Sequence, residues 1–477
     1  MSDDNQTKNS LLLFQLGPVQ SFIAQAETLG DLAAGSTILS EITMGAVEKA
    51  KNKGAQLVFP NLAGNAKGDG IPNRFLAFVP LDKAEEIAKA CDEAARGKLK
   101  SLAENVLIDA DKKGAFNTQV ERFLQITWAI LKNPTGDMGK DYNAIGKLMA
   151  MRRNTREFDA WSEEGYGQKK DILSGKEVAL QDDFGAMNLI KQSYAKKIEI
   201  PKTWKNYLAI IAMDGDKMGE KLGSFKKAQQ HFDFSGNLTK FAGEVRSYFK
   251  DEVEEKGLSV YAGGDDVLAV VSAKKAIEIA QDLRKKFKDI VGNNASAGIA
   301  IGHSSVPLQD LVHAAHDAES RAKKTYGRNA LAISIYKRSG EILEWGCGWD
   351  SPALDIYEEL TALSKENEEG KISIGRFPYK LAALLQSYEL KGEVDGAMLP
   401  IVMAEYDHAV EQTKDMRKDK VDRLSRDKVK AYLKDCFEKK PEDVKEQEKK
   451  KSAGRAEDFL NLFMAETFIN RPREEEE

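Results

Sequence analysis

Two adjacent carboxylates, Asp265 and Asp266, follow two glycines in the stretch Tyr261-Ala262-Gly263-Gly264-Asp265-Asp266-Val267-Leu268. Strand-forming Val260, Val267, Val270 and Val271 flank them, and paired glycines supply the positive φ angles of a two-residue hairpin, so the acids belong at a hairpin tip. Neighbouring carboxylates repel one another, and beside an apolar sheet a divalent cation held through oxygen relieves that repulsion most directly. A solvated Gly-Asp turn is the competing reading of the motif taken alone. Upstream, the apolar run Tyr207 to Met213 stops at Asp214-Gly215-Asp216, a second acidic strand end. Three carboxylates, Asp214, Asp265 and Asp266, then converge as two-metal phosphoryl transfer requires, with the Gly215 carbonyl as a further candidate metal ligand. Asp216 has two readings, a metal ligand or a cap on the next helix. Lys323, Lys324 and Arg328, in Ala322-Lys323-Lys324-Thr325-Tyr326-Gly327-Arg328-Asn329, are cations suited to a triphosphate, against a plain helix end stopped by Gly327.

The intervening residues predict the elements that carry these groups. Leu238, Phe241, Val245, Tyr248, Phe249 and Val253 recur at helical spacing between the two acidic sites, giving a strand, a crossover helix and a hairpin that return the chain to one sheet. Ala276 to Phe287 continue as a helix, Ala295 to Ile301 as a strand, Leu308 to Lys324 as a helix and Ala330 to Ile335 as a strand. That order predicts a ferredoxin-like palm. Near the N-terminus, a strand at Leu11 to Leu16, a long helix through Phe22, Ile38 and Ile42, strands at Gln56–Phe59 and Phe75–Val79 and a helix from Leu81 to about Leu107 repeat the pattern. Only Asp69, in the Gly-rich loop Gly64 to Gly70, is acidic there, so the first unit is expected to shape a pocket rather than bind catalytic metal. Four segments follow: a first α+β palm over 1–105, a mostly helical insertion over 106–203, a second palm over 204–340, and a helical C-terminal domain over 341–477. Within the last, Lys439 to Lys451 reads as an exposed, mixed-charge loop.

Asp214 at a strand end, GGDD at a hairpin and AKKTYGRN after a helix together resemble the GGDEF and adenylyl-cyclase class of palm domains. A narrower resemblance covers nearly the whole chain: MDGDKMG, YAGGDDVLAV, SAGIAIGH and GRNALAISIYKRSGE are similar to the second palm of the large polymerase-like subunit of type III CRISPR effector complexes, in its Cmr branch. LGPVQSFIAQAETLGDLAAGS and IPNRFLAFVP resemble that subunit's first palm. The resemblance implies an RNA-activated nucleotidyltransferase that converts ATP, with Mg²⁺ or Mn²⁺ on Asp214, Asp265 and Asp266, into a cyclic oligoadenylate or another AMP-containing messenger. Implied partners are other Cmr-type subunits, guide CRISPR RNA, target RNA and a downstream effector reached through the product. Gly263 and Gly264 would admit nucleotide, Lys323 and Arg328 would hold its phosphates, and Ser21 and Arg74 become pocket candidates, against a helix cap and a surface ion pair respectively. Where the family often carries a zinc ribbon this chain has Asp171 and Ser174 in place of thiolates, so zinc is not expected. A diguanylate cyclase-like enzyme and a catalytically weak scaffold are the alternatives.

With 477 residues, 42% hydrophobic and 31% charged, the chain has room for several cores, and its net charge of −5 leaves nucleic-acid contact to local patches such as Arg152, Arg153 and Arg156. Cys91, Cys347 and Cys436 share no metal-ligand spacing and imply a reduced, cytoplasmic setting. No apolar run is long enough for a membrane span. His313 and His316 lie three apart on a helix, but only ten residues precede Leu11, so the His-Asp nuclease domain of many relatives is expected to be missing and the output to be a signalling nucleotide.

Overall fold

The computed structural model describes residues 9–63, 70–155, 168–197, 199–250, 254–365, 377–390, 396–411, 426–437 and 455–470. The loop acid Asp69, Arg156 and the Lys439 to Lys451 run lie outside these residues. Two sheets dominate. The first takes β1 (Asn9–Gly17), β2 (Gln56–Phe59), β3 (Arg74–Pro80) and β4 (Gln125–Leu131) in the order β2-β3-β1-β4, all antiparallel. Between them run α1 (Gln20–Ala24), α2 (Leu29–Asn52), α3 (Ala84–Ala103) and α4 (Lys113–Phe123). This is the ferredoxin-like βαββαβ order, and its fourth strand comes from beyond residue 105, inside the stretch expected to be mostly helical. Gln125-Ile-Thr-Trp-Ala-Ile-Leu is rich in β-branched and aromatic residues, and it completes a sheet whose β1 would otherwise be an edge. The expected long first helix is also broken: Thr28 caps α2 reciprocally with Asp31, so the chain leaves α1 and restarts.

After α5 (Met138–Asn154) and α6 (Ala186–Tyr194), the second sheet is built from β5 (Tyr207–Gly215), β6 (Leu258–Gly263), β7 (Asp266–Ser272), β8 (Ala295–His303), β9 (Ala330–Tyr336) and β10 (Ile342–Gly348), in the order β10-β9-β8-β5-β7-β6. Its helices are α7 (Met218–Gly223), α8 (Ala228–Tyr248), α9 (Ala276–Val291) and α10 (Leu308–Lys324). The four strands β8-β5-β7-β6 again follow the ferredoxin-like order, β9 and β10 extend the sheet beyond β8, and only β8 with β9 is parallel. Strand β10 corrects the expectation that the chain is helical after Gly340: Gly340 takes φ +85°, and the alternation of buried Leu343, Trp345 and Cys347 with less buried Glu344 is that of a strand.

Strand β5 lies at the centre. Its Leu208, Ile210 and Ala212 face one core with α10, β1, α2 and α3, whereas Ala209, Ile211 and Met213 face another with α8, α9 and the C-terminal helices. One core therefore spans both sheets. The C-terminal helices, α11 (Pro352–Lys365), α12 (Phe377–Leu385), α13 (Leu399–Glu411) and those at Arg426–Phe437 and Ala456–Asn470, pack on the second face. Helix α10 sits close to β8 because Gly298 lacks a side chain: a Cβ there would lie 2.0 Å from the Glu319 amide nitrogen and 2.2 Å from the Ala315 carbonyl oxygen. Backbone cannot yield as a flexible side chain can, so Gly298→Ala is expected to cost roughly 3 kcal/mol. An unchanged denaturant midpoint in that variant would refute the close packing.

Candidate functional site

Register decides where the acids meet. Met213 of β5 pairs with Val267 of β7, which sets Asp214 at the end of β5 beside Asp266 at the start of β7. Gly263 pairs with Asp266 across a two-residue turn in which Gly264 takes φ +66°, so Asp265 projects from the tip. One carboxylate oxygen from each of Asp214, Asp265 and Asp266 lies within 4.8 Å of the others. Burial is the largest influence on all three. It pushes Asp265 up to about 6, with the Asp214 charge adding to the rise. Asp266 goes well above the ordinary carboxylate value through burial and the charge of Asp265. At Asp214 burial acts in the same direction but is outweighed by a hydrogen bond with Asp266 and the charge of Lys323, which hold it low. Three hard oxygen donors, two of them raised by burial and by their neighbours' charge, fit a small divalent cation.

Lys323 separates from Lys324 here. Its ammonium contacts both the Asp214 carboxylate and, at 2.6 Å, Glu319, whereas Lys324 is exposed. Arg328 lies 3.7 Å from Asp216 rather than on the triad. Asp216 does not cap the next helix: its buried carboxylate accepts from the Asn329 amide at 2.7 Å and from Ser296 Oγ at 2.8 Å. Gly215 is packed so closely that a Cβ would lie 2.9 Å from Met218 and Phe287 and 3.0 Å from the Asp265 Cβ, so its observed part is to seat the hairpin tip. Gly263 is approached by the Gly70 carbonyl of the first unit, 2.5 Å from where its Cβ would stand, while Gly264 faces open space.

The triad stands between two concavities. A cleft of about 730 Å³ opens on Asp214 and Asp266 and is walled by the β1–α1 turn, including Ser21, and by Asn73, Arg153, His316 and Glu319. A smaller cavity of about 70 Å³ lies against Gly264 and Asp265, lined by Arg74, Ile71, Phe234, Leu238 and His231. Ser21 and Arg74 therefore fall on opposite sides of the hairpin. Ser21 is exposed and does not cap its helix, and the Arg74 guanidinium lies 5.9 Å from the Phe59 ring centre. Sequence reasoning missed two contributors. His231 is 1% exposed with both ring nitrogens unpaired, and burial holds its pKa down to about 4. Lys191 of α6 is buried beneath α1, 4.3 Å from the Phe22 ring centre, and donates to the carbonyls of Phe22 and Gln25, which fixes the wall bearing Ser21. Burial pulls its amine down to about 7. A lone His on an amphipathic helix and a lone Lys gave no sequence signal.

Elsewhere, Asp171 accepts from the amides of Leu173, Ser174 and Gly185 and from Asn188 Nδ2, so its carboxylate is spent on loop structure. His303, His313 and His316 form no metal cluster with acids or thiols among the described residues. Cys91, Cys347 and Cys436 are buried and free, and no helix among the described residues is long and apolar enough to cross a membrane.

Comparison with known proteins accords with this architecture. Residues 207–332 match the family described as Cas10/Cmr2, second palm domain, and residues 11–104 match the CRISPR-associated protein Cmr2, N-terminal family. The chain is 30% identical to the Cmr2 subunit of the Pyrococcus furiosus CRISPR Cmr system, over 57% of this chain and 33% of that protein. It is 26% identical to the single-strand-specific deoxyribonuclease Cas10/Csm1 (subtype III-A) of Streptococcus thermophilus, over 48% of this chain and 29% of that one. It thus spans about a third of the length of these relatives. Among solved structures, the type III-B Cmr-beta complex bound to cognate target RNA contains a chain of similar fold (TM-score 0.60, 10% identity, covering 98% of this chain and 84% of that one). A Csm1-Csm4 cassette in complex with cA4 is also similar (TM-score 0.55, 13% identity, 97% and 70% covered).

Proposed function

We propose that this Cas10/Cmr2 chain is a nucleotidyltransferase acting on ATP within a type III CRISPR effector complex, making an adenylate second messenger. The observation that carries the reading is the meeting of Asp214, Asp265 and Asp266 between two concavities walled by both palm-like units, with the Lys323 ammonium on Asp214. Related Csm1-Csm4 structures hold cA4, AMPPNP, pppApA or ATP, which supports a nucleotide in this fold. In the reaction, a ribose hydroxyl oxygen of one ATP bonds to the α-phosphorus of another, the bond from that phosphorus to pyrophosphate breaks, and the hydroxyl proton passes to solvent. Bound to the three carboxylates, Mg²⁺ or Mn²⁺ would lower the pKa of that hydroxyl and polarise the α-phosphate.

The chain's own residues do the rest. Asp214, Asp265 and Asp266 fix the cation position, and two nucleotides are held on opposite sides of one hairpin, an arrangement that replaces a bimolecular encounter. The cleft with Ser21 accepts one nucleotide. The apolar cavity with His231 accepts the base of the other, where Ile71, Phe234 and Leu238 give a planar ring its apolar contact and the unpaired imidazole gives it a hydrogen-bond partner. Lys323 neutralises Asp214 and is within reach of phosphate, and Arg328 offers a fork for the leaving pyrophosphate.

Other Cmr-type subunits, guide RNA and target RNA are the proposed partners, and the product acts on a separate effector. Incubating the purified complex with ATP, Mg²⁺ and target RNA should release pyrophosphate and yield an AMP-containing product identifiable by mass spectrometry. Omitting target RNA should slow it at least tenfold, because alignment of two nucleotides between two units depends on assembly. Equal turnover without target RNA would sink the activation claim, and no pyrophosphate under any condition would leave the scaffold reading.

A further inference from the structure

The loop joining α10 to β9 is held in an unusual backbone. Gly327, Arg328 and Asn329 take φ +81°, +72° and +45° in succession, so two non-glycine residues occupy the left-handed region side by side. Such a run persists only where its surroundings over-determine it. From the catalytic side, the Asn329 amide donates to Asp216, two residues after Asp214, and the Arg328 amide donates to the Ala322 carbonyl at 3.2 Å. From the flank, Arg284 Nη2 donates to Asn329 Oδ1 at 3.2 Å and the Trp349 amide to the Asn329 carbonyl at 3.0 Å.

The remaining restraint comes from far along the chain. Tyr326 donates its hydroxyl to the carboxylate of Asp458, at 3.0 and 2.9 Å from its two oxygens. Asp458 is 2% exposed and belongs to the C-terminal helix Ala456–Asn470. The tyrosine ring is seated over β10 at Gly346, where a Cβ would lie 2.4 Å from it. The same helix region reaches α10 a second time: Glu344 of β10 is 2.7 Å from Arg321 and 3.6 Å from Arg455. Tyr432, on the helix Arg426–Phe437, donates to the Asp458 carbonyl at 2.9 Å and accepts from Trp345 Nε1 at 2.9 Å, tying a second C-terminal helix into the set. A buried carboxylate is costly unless hydrogen-bonded, and this one accepts from the Gly346 amide and from the hydroxyl of Tyr326, a residue flanked by Lys323 and Arg328.

We propose that Tyr326 and Asp458 form a positioning clamp through which the C-terminal helices hold the 325–329 loop in its nucleotide-phosphate-binding shape. The inference rests on the nucleotidyltransferase reading for what the loop binds. Neither residue touches phosphate; they act through Arg328 and Lys323. Movement of the C-terminal helices is thereby passed to Arg328 beside Asp216 and to Lys323 on the triad, giving subunits that dock on those helices a route to the active site.

The test measures ATP affinity by equilibrium dialysis and turnover by pyrophosphate release, on the assembled complex, for the native chain, Tyr326→Phe and Asp458→Ala. Each variant is expected to weaken ATP binding and raise KM by about five- to tenfold with kcat changed less than about twofold, because a binding geometry and not the chemical step is lost. The double variant should be no worse than either single one, as two halves of one clamp are non-additive. Asp458→Asn, which keeps an acceptor for the tyrosine hydroxyl, should recover most of the affinity. Lowered melting temperatures with unchanged ATP affinity and KM would overturn the clamp, leaving Tyr326 and Asp458 as core packing. Native complex that binds ATP but releases no pyrophosphate would defeat the enzymatic reading, and the affinities would still judge the clamp.

Discussion

Replacing Asp265 and Asp266 together by alanine is expected to abolish nucleotide product while the complex still assembles. The two acids supply two of the three carboxylates at the convergence of β5 and the β6–β7 hairpin, so their loss leaves Asp214 alone with the Lys323 ammonium already on it. A single carboxylate paired to a lysine cannot retain a hard divalent cation, and the charge developing on the α-phosphate would go unmatched. A loss of at least about 10³-fold in product is expected, the scale of removing a preorganised electrostatic contact several times over. Folding should survive, because Asp265 sits on a turn whose backbone is set by Gly264 and whose strands are held by Val267 to Val271 on β7. Product formed at the native rate by the double variant would remove the acids from the chemistry.

How far such a site can be read from residues alone depends on how local its determinants are. The apolar run of β5 and the hairpin around Gly263 and Gly264 declare themselves within a dozen residues, since a strand that ends in a carboxylate is a change of composition visible in the sequence. The ferredoxin-like order follows from the alternation of periodicities. What escaped is non-local. Strand β4 belongs to a sheet begun more than a hundred residues earlier, and only the unpaired edge of β1 calls for it. Strand β10 was hidden by the helices that follow it. Asp216 looks like Asp214 two residues before it, yet β5 ends at Gly215, so Asp216 lies beyond the strand, and there its carboxylate finds Asn329 and Ser296. His231, Lys191 and Asp458 are single polar residues on helices, and what surrounds each is decided by residues distant in the chain.

The metal-free protein should gain stability when Asp266 is changed to Asn, the reverse of what most substitutions of buried polar groups do. Asp265 is held at about 6, and Asp266 also titrates well above the ordinary carboxylate value. In the unfolded chain each returns to about 3.9. Between the two values the folded state binds more protons than the unfolded one, so the stability linked to these acids is fully present below the unfolded value and is lost as pH rises through the folded one. Carboxylate repulsion therefore weakens the metal-free fold above about pH 6. Asp266 is open to the cleft, which screens much of this, so Asp266→Asn should be worth about 1 kcal/mol near pH 8 and nothing near pH 4. A rise in Tm of roughly 1–3 °C at the higher pH follows for a chain of this size. Mg²⁺ should do the same for the native chain by binding the folded state alone, about 2.7 kcal/mol at a hundred times its Kd, with the gain shrinking below pH 6 as protons compete for the same oxygens. The variant should lose most of that response. Differential scanning fluorimetry at pH 5 and 8, with and without Mg²⁺, reads all four arms, and an equal Mg²⁺ shift in native chain and variant would place the cation somewhere other than Asp214, Asp265 and Asp266.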